Sequence, residues 1–437
     1  MRGAAVLLAL AWIAPPARAA ARANAQEARG ERDEGVEASS VEGEIALWLS
    51  STPALAASER EARLARVAAF GTSAAEALIA VWNDPATTAG ARPLVLEALR
   101  SLAEADVLRA VESVRAGTTS AAERSGCLHV LGEVGSAASI DVVLELLATA
   151  GEPAVSAGLA RALSAALPRI LERDARAHER LEAAARGLDE RRVWLLVEAL
   201  EHAPSSTAAL VVSEALQLHP ALADPALHAL AEIARSSWVW LADGPRAELR
   251  RWLDAPEPAI KKCAAVALAR LRDPETAVAM LAWLEHGGER DRKTAVWCLE
   301  TILGVTLPAE LRRWRALCDE ELAWKERRGR RSIATLDSRN PTTVVQVIGE
   351  LSRARLHRHD VAAELTPLLA SPNPGIQRAV CGALARLGSA RAVPALVAAL
   401  DDPDDERRGW ALDALRELTG RELTDPKDWR ALVGPVD

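Results

Sequence analysis

The sequence predicts an all-α fold: an α-solenoid, or superhelix, of stacked antiparallel helix pairs. Three observations carry this. The chain repeats itself, positions 247–304 matching 363–420 at an offset of 116 residues without a gap, with 19 of 58 pairs identical. Inside each copy a shift of 31 residues puts Leu268 on Leu299, Leu271 on Ile302 and Ala264 on Ala295, and later Leu384 on Leu415, Leu387 on Leu418 and Val380 on Ala411. Those apolar residues recur at i, i+4 and i+7, one face of an α-helix. Tyr is absent and Phe occurs once, so the chain lacks the aromatic residues an all-β fold uses.

Composition sets the outer limits. Half of the 437 residues are hydrophobic, enough to fold, and the formal charge of −8 disfavours nucleic acid or an anionic membrane as the main partner. Met1-Arg2, the apolar run Ala4–Ala14, Pro15-Pro16 and the small-x-small site Ala17-Arg18-Ala19 follow the order of a secretory signal peptide over 1–25. Eleven apolar residues fall short of the ~20 that span a bilayer. The mature chain is therefore expected to be exported, to the periplasm, cell envelope or exterior, without membrane insertion.

Residues 26–44 are polar and acidic and predict a disordered leader. A first solenoid segment is expected over 45–324 and a second over 341–437. Between 45 and 120 the helices have the right spacing without a fixed register. Leu131-Gly-Glu-Val134-Gly135-Ser136 aligns with Leu384-Ala-Arg-Leu387-Gly388-Ser389, extending the unit towards the amino terminus. Helices are predicted at Pro274–Glu285 and Asp291–Leu303. Pro256, Pro258, Pro372, Pro374 and Pro403 stand where second helices begin, and Gly304, Gly388 and Gly420 where they end. One such pair leaves an apolar face uncovered and must stack on its neighbours. Residues 325–340, opening with Lys325-Glu-Arg-Arg-Gly-Arg-Arg331, read as a basic linker. The stretch 310–358 holds twelve Arg and Lys against seven Asp and Glu.

The segment SPNPGIQRAVCGALARLGSARAVPALVAALDDPDDERRGWALDALRELTG (371–420) resembles tandem HEAT repeats of the bacterial lyase-like type. The Gly304…Trp314 and Gly420…Trp429 endings are similar to those of HEAT arrays in exported proteins. The resemblance implies a scaffold binding a protein partner non-covalently along a concave groove lined by second helices. Their polar starts carry Lys261, Lys262, Arg292, Lys293, Gln377, Arg378, Arg407 and Arg408, the candidate partner-binding residues. Lys262 falls in register with Arg378, and Arg292 with Arg408. The competing expectation is that these cations pair with Asp or Glu of their own or the next repeat, such as Asp254 or Asp402. The same family includes bilin-attaching lyases and the fold includes DNA glycosylases, and a purely structural envelope component is a further alternative.

Nothing in the sequence marks a catalytic group. There is no HExxH, GxSxG, GxGxxG or GxxxxGK[ST]. His357-Arg-His359 is the one His cluster, and i, i+2 spacing on a helix points the rings apart. Neither a metal site nor a cofactor is expected. The five cysteines lie 136, 35, 20 and 63 residues apart without a CxxC, reading as buried thiols with a Cys263–Cys298 bridge as the alternative. The thirteen Trp read mainly as packing between helices, with Trp314 and Trp429 closing the two copies.

Overall fold

The caps and breaks of the sequence become helix ends. In a computed structural model residues 40–51, 56–117, 120–147 and 153–433 are described, and every regular element among them is helical. The signal peptide and leader residues 26–39 lie outside the described residues. The first helix starts at Val41, four residues inside the stretch read as leader, because Ile45 and Trp48 are buried and Trp48 Nε1 donates to the Leu94 carbonyl at 2.8 Å. That contact is enough to order a polar start.

The chain divides into two units, Met1–Ala166 and Leu167–Asp437. The first holds α1 (Val41–Ser51), α2 (Ala57–Ala68), α3 (Thr72–Asn83), α4 (Arg92–Ser101), α5 (Glu104–Gly117), α6 (Ala121–Val134), α7 (Ser139–Leu147) and the start of α8 (Pro153–Arg173). Alternate helices stack: α1, α3, α5 and α7 form one layer, and α2, α4 and α6 the other. Arg60 pairs with Glu97 and Arg100 with Glu133 at 2.8 Å, tying each helix of the second layer to the next. A Cβ at Gly132 would stand 2.7 Å from Ala166 Cα, so glycine lets α6 approach α8 closely.

The second unit opens with α9 (Arg176–Ala185), α10 (Glu190–Leu200), α11 (Ser206–Leu218), α12 (Ala223–Ile233), α13 (Asp243–Arg250), α14 (Pro258–Arg270), α15 (Pro274–His286) and α16 (Glu289–Leu303). The sequence placed α15 and α16 to within two residues at every end. Helices α10, α12, α14 and α16 stack as one layer, with α9, α11 and α13 beside them. Pro258 and Pro274 occupy the first helical turn, and Asp273 caps α15 by accepting from Thr276 N. Such a cap contributes about 1 kcal/mol. Gly304, Gly388 and Gly420 close their helices at φ of +67°, +59° and +69°, where a side chain is disfavoured.

Beyond α16 the stack turns back. Helix α17 (Leu311–Trp324), a π-turn at Lys325–Gly329 and α18 (Arg330–Thr335) lead into α19 (Pro341–Leu351), α20 (Arg358–Leu365), α21 (Pro374–Leu387), α22 (Val393–Ala398), α23 (Asp405–Thr419) and α24 (Pro426–Val433). Residues 325–335, read from sequence as linker, are thus helical and α18 packs on α19. In this second block α19, α21 and α23 stack in turn. The block lies against the first along a seam of helix ends. Arg358 Nη2 donates to the Ile302 carbonyl at 2.5 Å, and Ser237 Oγ to the Leu418 carbonyl at 2.6 Å. Leu432 reaches residues of α8 and the α10–α11 turn, sharing a small cavity with Leu171, His178 and Pro204. Within this unit the helices form two stacks that meet along this seam.

The periodic residues form the core: Leu268, Leu299, Leu384 and Leu415 have no exposed surface. Each such side chain contributes about 2 kcal/mol on burial. Trp314 and Trp429, in matching places after the two copies, are also fully buried. The five thiols are free; Cys298 Sγ lies 3.5 Å from the Ala265 carbonyl, and no bridge joins Cys263 to Cys298.

Candidate functional site

The starts of α14 and α16 are neighbours, and the structure brings four predicted residues together there. Lys261 is held: its Nζ stands 4.2 Å from the Trp283 ring and 4.0 Å from Asp291. Lys293 pairs with Glu289 at 2.7 Å, one turn back. Lys262 and Arg292 are exposed and form no ion pair among the described residues. The two therefore offer net positive charge to solvent, whereas their neighbours are neutralised.

The equivalent corner of the second block is more fully paired. Gln377 is buried, donating Nε2 to the Leu369 carbonyl at 2.7 Å, so it belongs to the repeat's own packing. Arg407 lies between Asp402 at 3.9 Å and Asp404 at 3.7 Å. Arg408 pairs with Asp405 and donates to the Asp402 carbonyl at 2.7 Å. Arg378 alone is exposed without an ion pair among the described residues. Helix C-termini meet at the seam, so the starts of α14 and α16 point away from those of α21 and α23. The eight candidates form two patches and not one row.

A second polar cluster lies at the seam, and sequence reasoning missed it. Asp273 has no exposed surface, yet accepts from Arg250 at 2.7 and 2.9 Å, from Thr276 N and Oγ1 at 2.9 and 2.7 Å, and pairs with Arg246 at 3.5 Å. Burial alone would raise its pKa, but the Arg250 and Thr276 hydrogen bonds outweigh it and hold the carboxyl below its ordinary value. Arg358 is buried and gives its donors to three carbonyls: Arg355 at 2.7 Å, Leu387 at 3.4 Å and Ile302. Burial pulls its pKa down to about 9, and nearby Arg272 adds to that. His359 Nδ1 lies 2.8 Å from Ser389 Oγ, and burial pushes the ring down to about 4. His357, which precedes α20, instead faces the Glu321 carbonyl at 3.1 Å and stacks on Trp324, so the two rings of the His cluster part.

This cluster is a joint. Carbonyls at the ends of α16 and α21 carry the negative ends of helix dipoles, and Arg358 donates to both, to α21 within its own block and to α16 across the seam. The sequence held one clue, the Asp273-Pro274 pair typical of a helix start; nothing in it linked Asp273 to Arg246 or Arg250 before folding. Among the described residues no group of three or more His, Cys, Asp or Glu is arranged to hold a metal ion.

Residues 332–416, from within α18 into α23, match the family model of the HEAT repeats. The second block is built of HEAT repeats. The segment 247–304 shares 19 of 58 residues with 363–420, most of which lies inside the matched stretch. No curated protein matches the chain. Among solved structures it is similar to Kap121p, at TM-score 0.35 and 11% identity over 88% of this chain and 52% of that one. A mutant Kap121p gives 0.36 and 11% over 86% and 49%. Human deoxyhypusine hydroxylase in complex with glycerol gives 0.19 and 15% over 81% and 98%. The chain spans about half the length of both Kap121p structures.

Proposed function

We propose that this chain is an exported HEAT-repeat scaffold that holds a protein partner without covalent chemistry, meeting acidic stretches of that partner at the starts of the second helices in each block. One observation carries the reading. Of the cations at those helix starts, Lys261, Lys293, Arg407 and Arg408 are spent on carboxylates of the chain itself, while Lys262, Arg292 and Arg378 are exposed and unspent. A cation that serves the repeat's own ladder needs a partner within ~4 Å, and these three have none among the described residues. Export rests on the n-region, apolar run and cleavage sites of residues 1–25.

The test is affinity capture from the envelope fraction of the native host, with mature protein as bait and mass spectrometry as readout. The triple variant Lys262→Glu, Arg292→Glu, Arg378→Glu is expected to lose the captured protein while its far-ultraviolet spectrum stays helical. Arg408→Glu, which alters a self-neutralised cation, is expected to retain more of it. Capture unchanged by the triple variant discards this surface.

A further inference from the structure

On the other helix layer, between α11 and α13, lies an open groove of about 610 Å³. Leu216, Pro220, Leu249, Trp252 and Pro256 give it apolar walls, and Glu248, Arg251 and Asp254 stand on its rim. Arg251 is neutralised by Glu248 at 2.5 Å, whereas the exposed Asp254 makes no ion pair or side-chain hydrogen bond among the described residues. The rim therefore carries net negative charge. Ser213, which lines the wall, is 1% exposed and its Oγ has no hydrogen-bond partner. A helical serine ordinarily bonds back to the carbonyl four residues earlier, so an unused buried hydroxyl facing a groove is a waiting polar contact.

The internal duplication supplies a control. At the equivalent register the second copy keeps Leu365 for Leu249, Glu364 for Glu248 and Pro372 for Pro256. It has Pro367, Leu368 and Ala370 where the first has Arg251, Trp252 and Asp254. The repeat is built in both copies, so the Arg-Trp-Asp set is not needed to build it.

We propose that this groove binds an extended polypeptide segment in which an apolar side chain, seated against Trp252, is flanked by Lys or Arg that meets Asp254 and Glu248. The charge complementarity fixes the class of occupant: an acidic segment, suited to the helix-start cations, is repelled here. The proposal shares with the scaffold reading only that the occupant is a polypeptide, and it uses none of the same residues.

Fluorescence anisotropy of the full mature chain with a fluorescein-labelled peptide, Lys-Lys-Leu-Pro-Leu-Lys-Lys, tests it against the same peptide with Glu for every Lys. The Lys peptide is expected to bind saturably and the Glu peptide about tenfold more weakly or not at all. Trp252→Leu, which installs the side chain the other copy carries, is expected to weaken the Lys peptide about tenfold with an unchanged circular dichroism spectrum. Asp254→Asn with Glu248→Gln should weaken it about fivefold at low salt and have little effect at high salt. The triple variant at Lys262, Arg292 and Arg378 should bind the Lys peptide as the wild type does, which separates this groove from the helix-start surface. Equal binding of the two peptides, no binding of the Lys peptide, or indifference to Trp252→Leu overturns the proposal. So does dimerisation on sedimentation that Trp252→Leu abolishes, since the occupant would then be a second copy.

Discussion

Arg272 and Gly388 stand 116 residues apart, the length of the internal repeat, and meet face to face across the seam. The Arg272 Nη1 lies 3.0 Å from the point a Cβ would occupy at Gly388. Both are at the same place after their helices, and both have the left-handed backbone, φ +55° and +59°. Ile302 and Leu418 are equivalent positions too, and the carbonyl of each accepts from the opposite block, though from donors, Arg358 and Ser237, that are not equivalent. The duplicated units thus meet through equivalent helix ends, with α17 and α18 as the connection.

Gly388→Ala is expected to cost more than the same change at Gly304 or Gly420. All three lose about 1 kcal/mol from placing a side chain at positive φ. At Gly304 and Gly420 nothing lies within 4 Å of the new methyl, whereas at Gly388 it meets the Arg272 guanidinium. Urea unfolding of the three variants should show a further loss of about 1 kcal/mol for Gly388→Ala. Equal losses would mean that Arg272 moves aside freely.

Arg358→Met should destabilise the second unit by about 3 kcal/mol or more. The change leaves the Arg355, Leu387 and Ile302 carbonyls without their donor, each at a cost of about 1–3 kcal/mol when buried. Chemical denaturation is the measurement. A change below about 1 kcal/mol would show that water replaces the guanidinium and that the seam is wet.

The repeats were legible because their determinants are local. Period and cap signals act within one helix, so Pro274, Gly304 and the Leu268/Leu299 register could be read from neighbours in sequence. The fold-back could not. It depends on Ser237 finding Leu418 and Arg358 finding Ile302, pairings far apart in the chain whose members look like ordinary polar residues at helix ends. The candidate site was legible by halves: the helix starts were rightly placed, but whether a given Lys or Arg is free depends on an aspartate's side-chain direction, as at Arg407 and Arg408. The α11–α13 groove left only Trp252 as a sign, one tryptophan among thirteen.

Asp273→Ala is expected to cost about 3–5 kcal/mol, because it takes from Arg246 and Arg250 their one fully buried carboxylate and leaves them only the exposed Asp243 and Glu275. Asp273→Asn should cost less, since the amide oxygen still accepts from Thr276. The wild-type carboxyl has its pKa held below the unfolded value, so its contribution is present above that value and is lost as pH falls through the folded one. Thermal unfolding between pH 7 and 3 measures this: the curves of wild type and Asp273→Asn should converge towards low pH. Parallel curves would show that the charge on Asp273 is not what the two arginines require.

His359 gives the seam a second pH dependence, in a different window. The ring is 7% exposed, lies near Arg246, Arg272 and Arg358, has its Nδ1 2.8 Å from Ser389 Oγ and its Nε2 without a hydrogen-bond partner, and is pushed down to about 4 from an ordinary 6.5. Burial is the main cause, and the three guanidinium charges act in the same direction. Because the unfolded chain takes up a proton near pH 6.5 that the folded chain refuses until about pH 4, stability should fall as pH drops through that interval and this contribution should level off below it. The difference amounts to about 3 kcal/mol. His359→Gln keeps a hydrogen-bonding group beside Ser389 and cannot titrate, so its stability should change less than that of the wild type between pH 7 and 4. Urea titrations across that range decide it: matching slopes for the two proteins would mean that the folded seam accepts the proton at no cost, through movement of the arginines or entry of water.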